Sequence, residues 1–132
     1  MRIGCDTGFF GGLLEHQGEV EEVWQTAAEG EHQLVMSCIS LFELRRLGLR
    51  GAFPKDRVEE ALEYLPESCE IVWLGSENGY LLERASRIAH GNGLAMADAI
   101  ILTSLMAANV EVIYSSDSDF EAYPAGPRII KI

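Results

Sequence analysis

Short apolar runs alternate along this chain with longer stretches in which apolar residues recur every three or four positions, a pattern that predicts strands interleaved with helices. Met1–Cys5 reads as a short buried strand, Leu34–Cys38 as a second, Ile71–Leu74 as a third and Val110–Tyr114 as a fourth, with Arg128–Ile132 as a final strand at a sheet edge. Between them, Val20–Glu29 carries Val20, Val23, Trp24 and Ala27 on one helical face, and Leu41–Gly48 carries Leu41, Leu44 and Leu47 at helical spacing. Gly51 and Pro54 break the chain before a further helix, Lys55–Leu65, which Pro66 is expected to end. Glu77–His90 reads as helical, and Gly91-Asn92-Gly93 imposes a turn because glycine and asparagine tolerate positive φ. The nearly all-apolar Met96–Ala108 is long enough for a buried helix. Strand–helix alternation of this kind belongs to the α/β class, a parallel sheet covered by helices. With no repeat, low-complexity tract or linker, residues 1–132 read as one domain.

Composition narrows the picture without naming a function. At 132 residues and 48% hydrophobic, the chain can bury one ordinary core. No stretch long enough to span a bilayer is free of charge, and the N-terminus opens on a strand in place of a basic segment followed by an apolar run, so a soluble, cytoplasmic protein is expected. Cys5, Cys38 and Cys69 are widely separated, with no Cys-x-x-Cys pair, and are expected as reduced core thiols. His16, His32 and His90 stand apart in polar contexts and read as surface residues, leaving no strong histidine candidate for a general base. Trp24, Phe42 and Leu49 are expected in the core, with a docking surface as the alternative.

The net charge of -11 argues against nucleic acid, because phosphate contacts are normally made by lysine and arginine. Two features weaken that objection. Cations could neutralise some of the acids, and the basic residues are bunched at Arg45, Arg46, Arg50, Lys55 and Arg57, with Arg84 and Arg87 on a later helix. Taken singly, each basic residue reads as part of a solvated helix face.

In a parallel sheet, ligands collect at the carboxyl ends of the strands, which selects Asp6, the segment Ser37 to Glu43, and Ser115 to Asp119. Each acid there also has a structural reading. Asp6 could cap a helix, and Ser40-Leu-Phe-Glu43 has the spacing of a capping box. Asp98 is harder to explain structurally, since it stands among apolar residues and an unpartnered buried carboxylate costs roughly several kcal/mol. A helix dipole would offset part of that cost and a bound cation more. Asp117 and Asp119 lie in Ser115-Ser-Asp-Ser-Asp-Phe120, where a calcium loop fails because Ala122 and Arg128 occupy the positions that need glycine and glutamate. Carboxylates gathered closely repel one another unless cations intervene, and an all-oxygen set suits Mg²⁺ or Mn²⁺ over structural zinc.

The order Asp6-Thr7 after a first strand, Ser37-x-x-Ser40-x-x-Glu43-Leu44 after a second, Asp98-Ala-Ile in an apolar helix and Ser115-x-Asp117-x-Asp119-Phe120 resembles the PIN-domain family, especially VapC-type toxins. The resemblance covers almost the whole chain. It implies a central parallel sheet flanked by helices and an endoribonuclease that depends on Mg²⁺ or Mn²⁺. By matching position it makes Asp6, Glu43, Asp98 and Asp117 the metal-site and catalytic quartet, with Asp119 an auxiliary acid and Ser115 a hydrogen-bonding support where the family usually has threonine. It also implies a homodimer and an antitoxin partner. Arg45, Arg46, Arg50 and Lys55 are then the expected phosphate contacts to an RNA substrate. A rival reading is a catalytically silent PIN-like module that binds a protein partner. A haloacid-dehalogenase-like phosphatase would need Asp-x-Asp after the first strand, where this chain has Asp6-Thr7-Gly8.

Overall fold

The computed structural model describes residues 1–132. Its organising element is a strand, β1 (Arg2–Cys5), flanked by parallel strands on both sides. β2 (Gln33–Ser37) pairs with β1 through Ile3 opposite Leu34, and β4 (Val112–Ser115) pairs on the other side through Gly4 opposite Ile113. β3 (Glu70–Val72) lies outside β2 and β5 (Arg128–Lys131) outside β4, completing a five-stranded, all-parallel sheet in the order β3-β2-β1-β4-β5.

Successive side chains on a strand point to opposite faces, and here that alternation sorts the apolar residues into two cores. Ile3, Cys5, Leu34, Met36 and Val112 join one cluster, packed by α1 (Thr7–Leu14), α2 (Gly18–Ala28), α3 (Cys38–Leu49) and α4 (Lys55–Ser68). Val35 and Ile113 join the other, packed by α5 (Tyr80–Asn92) and α6 (Met96–Ala107). The result is helices on both faces of a parallel sheet, the expected α/β architecture. No helix is long and apolar enough to cross a membrane.

Several elements depart from the sequence-based expectation. No element was expected over residues 7–14, yet α1 forms there; Phe9, Phe10, Gly11, Gly12 and Leu14 are all buried, so the helix has little polar face to give it periodicity. Pro66 does not end α4, which continues to Ser68. The exposed proline removes one backbone bond near the end of a helix whose buried stripe, Val58, Ala61 and Leu65, is already seated. Gly91 and Asn92 remain helical, and Gly93 alone takes the left-handed conformation, at φ 68°, closing α5 through its N–H to the Ala89 carbonyl at 3.0 Å. Phe42 and Leu49, expected in the core, are 61% and 69% exposed, whereas Trp24 is half-buried against Tyr64. All three cysteines are free thiols; Cys5 and Cys69 are buried and Cys38, at the start of α3, is half-buried. Burial pushes the Cys69 thiol up to about 12 and the Cys5 thiol well above its usual range, which makes both inert. His16 and His90 are exposed, while His32 is half-buried.

Gly93→Ala places a Cβ on a left-handed residue with open space around it, so strain alone sets the cost. Unfolding in urea should show a loss of about 1 kcal/mol; an unchanged midpoint would mean that this turn relaxes freely.

Candidate active site

The chain leaves β1 to build β2 on one side and later returns to build β4 on the other, so the switch in strand order falls between β1 and β4. A cleft of about 200 Å³ opens at their carboxyl ends, and Asp6, Thr7, Glu43, Asp98, Ser116 and Asp117 are among the residues lining it.

Asp6 follows the last residue of β1 and performs two tasks. Its Oδ1 accepts the Phe9 N–H at 2.9 Å as the N-cap of α1, and its Oδ2 accepts the Ser115 hydroxyl at 2.6 Å from the end of β4. Cap and cleft residue are therefore the same carboxylate. Burial raises its pKa above the usual range, the bonds from Ser115 and Phe9 oppose that rise, and Asp117 and Glu43 add to it. Ser115 in turn accepts the Asp117 N–H at 2.9 Å, which ties the loop carrying Asp117 to the strand end.

Glu43 comes from α3, but not through the capping box that its spacing suggested. The N-cap is Ser37, whose side chain accepts the Ile39 N–H at 3.2 Å, so Ser40 already lies inside the helix and is fully buried. Glu43 instead accepts the Thr7 hydroxyl at 2.5 Å, and the Ser40 hydroxyl lies 3.0 Å from that of Thr7. Asp98 occupies the first turn of α6 and is half-buried, less enclosed than its apolar surroundings in sequence suggest. Its carboxyl is raised to about 6, by burial first and then by repulsion from Asp117, Glu43, Asp119 and Asp6. Asp117 caps the short 3-10 turn Ser118–Ala122 by accepting the Asp119 N–H at 2.8 Å. Carboxylate oxygens of Asp98, Asp117 and Asp119 lie within 4.8 Å of one another.

The basic residues divide. Arg46 and Arg50 line the cleft, whereas Arg45 turns away and donates to Glu59 of α4 at 2.6 Å. Lys55, exposed at the start of α4, does not line it. Thr7 and Ser116 line the cleft without having been assigned a role from sequence, although a hydroxyl directly beside Asp6 was a usable signal. Gly8 admits Ser116: a Cβ on Gly8 would fall 1.8 Å from the Ser116 Oγ, so the loop bearing Asp117 rests directly on α1.

The donors gathered here are carboxylates, with neither histidine nor cysteine lining the cleft. Such a set fits a hard divalent cation with oxygen ligands, and repulsion from the other acids adds to the burial that raises Asp98.

Fold and site together define a small α/β protein with a cation-attracting acidic cleft at the switch point of a parallel sheet. The chain belongs to the PIN-domain family, whose model matches residues 3–126. Among solved structures, it is similar to VapBC2 from Rickettsia felis bound to a promoter DNA fragment, with a TM-score of 0.76 at 15% identity over 100% of this chain and 99% of that one. It is also similar to VapBC-1 from nontypeable Haemophilus influenzae, with a TM-score of 0.69 at 17% identity over 99% and 98%. A toxin–antitoxin complex from Klebsiella pneumoniae gives 0.66 at 20% identity over 98% and 99%. These likenesses are of fold. No curated protein gives a significant match to the sequence.

The raised carboxyl at Asp98 has a defined consequence for metal-free protein. The folded state holds that proton more tightly than the unfolded state, so stability falls as pH rises from the ordinary carboxylate range through about 6. Asp98→Asn removes the penalty. In chelator at neutral pH it should melt a few degrees higher than wild type, with a shallower dependence of Tm on pH below neutrality; the same Tm and slope in both proteins would show that Asp98 carries no such strain.

Proposed function

We propose that this protein is an endoribonuclease that depends on Mg²⁺ or Mn²⁺, hydrolysing RNA phosphodiester bonds as the toxin of a type II toxin–antitoxin pair. The observation that carries the reading is the meeting of Asp6, Glu43, Asp98 and Asp117 in one cleft of a PIN-domain chain. These four would hold the cation, with Asp119 close enough to Asp98 and Asp117 to take part. When bound, a divalent cation supplies Lewis-acid polarisation of the phosphodiester and lowers the pKa of water.

The chain's own groups do the remaining work. Ser115 holds Asp6 in a fixed orientation through a 2.6 Å bond, which keeps a nearly buried carboxylate aimed at the cleft. Arg46 and Arg50, at the rim, supply positive charge that an RNA backbone needs in a chain of net charge -11. Asp119 is exposed beside the quartet and suits acceptance of a proton from the attacking water, a task for which no histidine lies at hand.

RNA as substrate is what the VapC-type resemblance implies. The antitoxin partner is supported by the Klebsiella pneumoniae relative in fold, which is a toxin–antitoxin complex. Phe42 and Leu49, exposed on α3, supply apolar surface for protein contact, whether with a second copy or with an antitoxin.

The test is cleavage of a mixed pool of structured RNAs with Mg²⁺ or Mn²⁺ and with chelator. Wild type should cut only with metal, and Asp6→Asn and Asp98→Asn should each lose at least about a hundredfold in rate. Undiminished cutting by both variants would sink the assignment. Metal binding without cutting by any form would favour the rival reading, a silent module for a protein partner. In the same assay, Arg46→Ala combined with Arg50→Ala should weaken cleavage and flatten its salt dependence, whereas Arg45→Ala should leave both unchanged. The reverse pattern would remove the cleft arginines from the account.

A further inference from the structure

Glu43 receives a single hydrogen bond, from a residue with no part in the reading above. Thr7 is the first residue of α1, directly after Asp6, and its hydroxyl reaches across to α3. Inside a helix, a threonine hydroxyl is commonly captured by a carbonyl of the preceding turn. Thr103 illustrates this within α6, bonding the Ala99 carbonyl at 2.7 Å. At the first position of α1 no preceding turn exists, and the hydroxyl is free to bond elsewhere.

Proton accounting then fixes a direction. Thr7 has one hydroxyl proton and lies 2.5 Å from Glu43 Oε1 and 3.0 Å from Ser40 Oγ. An ionised carboxylate only accepts, so Thr7 donates to Glu43 and must accept from Ser40. Ser40 is fully buried and its hydroxyl has no other partner, so its proton is committed to Thr7. Ser40 and Glu43 stand three residues apart on α3 and share a face, which lets one side chain of α1 touch both.

We propose that Thr7 is the positioning residue of Glu43: its hydroxyl, held in turn by Ser40, fixes the Glu43 carboxylate toward Asp6, Asp98 and Asp117 before any cation arrives. A free glutamate side chain rotates about several bonds, and ordering it on binding costs free energy that this relay removes beforehand. Ser115 serves Asp6 in the same manner from the opposite side of the cleft. The proposal rests on the metal-site reading above and adds to it the means by which the α3 ligand is preformed.

The test is Mn²⁺ titration of the intact protein by calorimetry, without RNA, for wild type, Thr7→Val, Thr7→Ser and Ser40→Ala. Thr7→Val keeps the shape and removes the donor; it should weaken Mn²⁺ binding by about tenfold or more, with Thr7→Ser restoring wild-type affinity and Ser40→Ala falling between. Cleavage by Thr7→Val should recover at high Mn²⁺, as expected when the defect lies in forming the site. If wild type binds Mn²⁺ and folded Thr7→Val binds it equally well, the positioning role is wrong while the metal site stands. Equal weakening in Thr7→Ser and Thr7→Val also overturns it. Should Thr7→Val fail to fold, an unchanged affinity in Ser40→Ala overturns the relay and a weakened one supports it. A wild type that binds no Mn²⁺ overturns the metal-site reading and this proposal together.

Discussion

A carboxylate almost out of contact with water sits where two central strands end. Asp6 is 4% exposed, and it is tolerable there because both of its oxygens are engaged, one by the first turn of α1 and one by the hydroxyl that ends β4. Charge-assisted bonds of this kind are the strong ones, and removing either partner would leave a buried acid short of donors. The same bonds impose geometry. They require β1 and β4 to be neighbours, α1 to begin at once, and the loop after Ser115 to fold back over α1, where Gly8 leaves room for Ser116. The topology that creates a switch point and the residue that exploits it therefore depend on one another.

The rest of the cleft is built against electrostatic resistance. Glu43 and Asp117 each find a donor, while Asp98 finds none, and burial first, with repulsion from the neighbouring acids added to it, raises its carboxyl to about 6. A chain with a net charge of -11 gains nothing for folding by gathering four of its acids in one small space. Crowding of this sort makes physical sense when a cation offsets it in the working state, and the family relationship supplies an independent reason to expect one. The nearby Arg46 and Arg50 do not serve this purpose through ion pairs, since neither forms one with the acids.

Much of this was legible in the sequence, for identifiable reasons. The strands were visible because parallel central strands are apolar on both faces, Asp6 and Asp117 because they closely follow β1 and β4, and Asp98 because it stands among apolar residues. Helix α1 was not visible, since Gly8, Gly11 and Gly12 weaken its propensity and Phe9, Phe10 and Leu14 face apolar surroundings that leave no polar side to mark a period. Pro66 misled because tertiary burial of Leu65 outweighs the local preference to stop. The capping box misled because Ser37 offered an equally suitable hydroxyl three residues earlier, at the true end of β2. Thr7 meeting Glu43 spans 36 residues and exists only once α1 and α3 have packed, so no spacing in the chain announces it.

The division of the arginines turns on the helical period and could have been drawn from it. Counting along α3 from Glu43, Arg46, Leu47 and Arg50 fall at steps of three, four and seven, which return to the same face, and all three line the cleft with Glu43. Arg45 falls at two steps, on the opposite side, where Glu59 of α4 is available to it. Grouping the basic residues by nearness in sequence obscured this, because adjacent helix positions differ by about 100°. Ser40 belongs to the same face at three steps in the other direction, so a single stripe of the helix carries the buried hydroxyl, the carboxylate and two unpaired cations in order along its length. Because these groups share one rigid element, a small rotation of α3 would move all of them together. The contact of Thr7 with both Ser40 and Glu43 thus registers α3 against α1, and through α1 against Asp6.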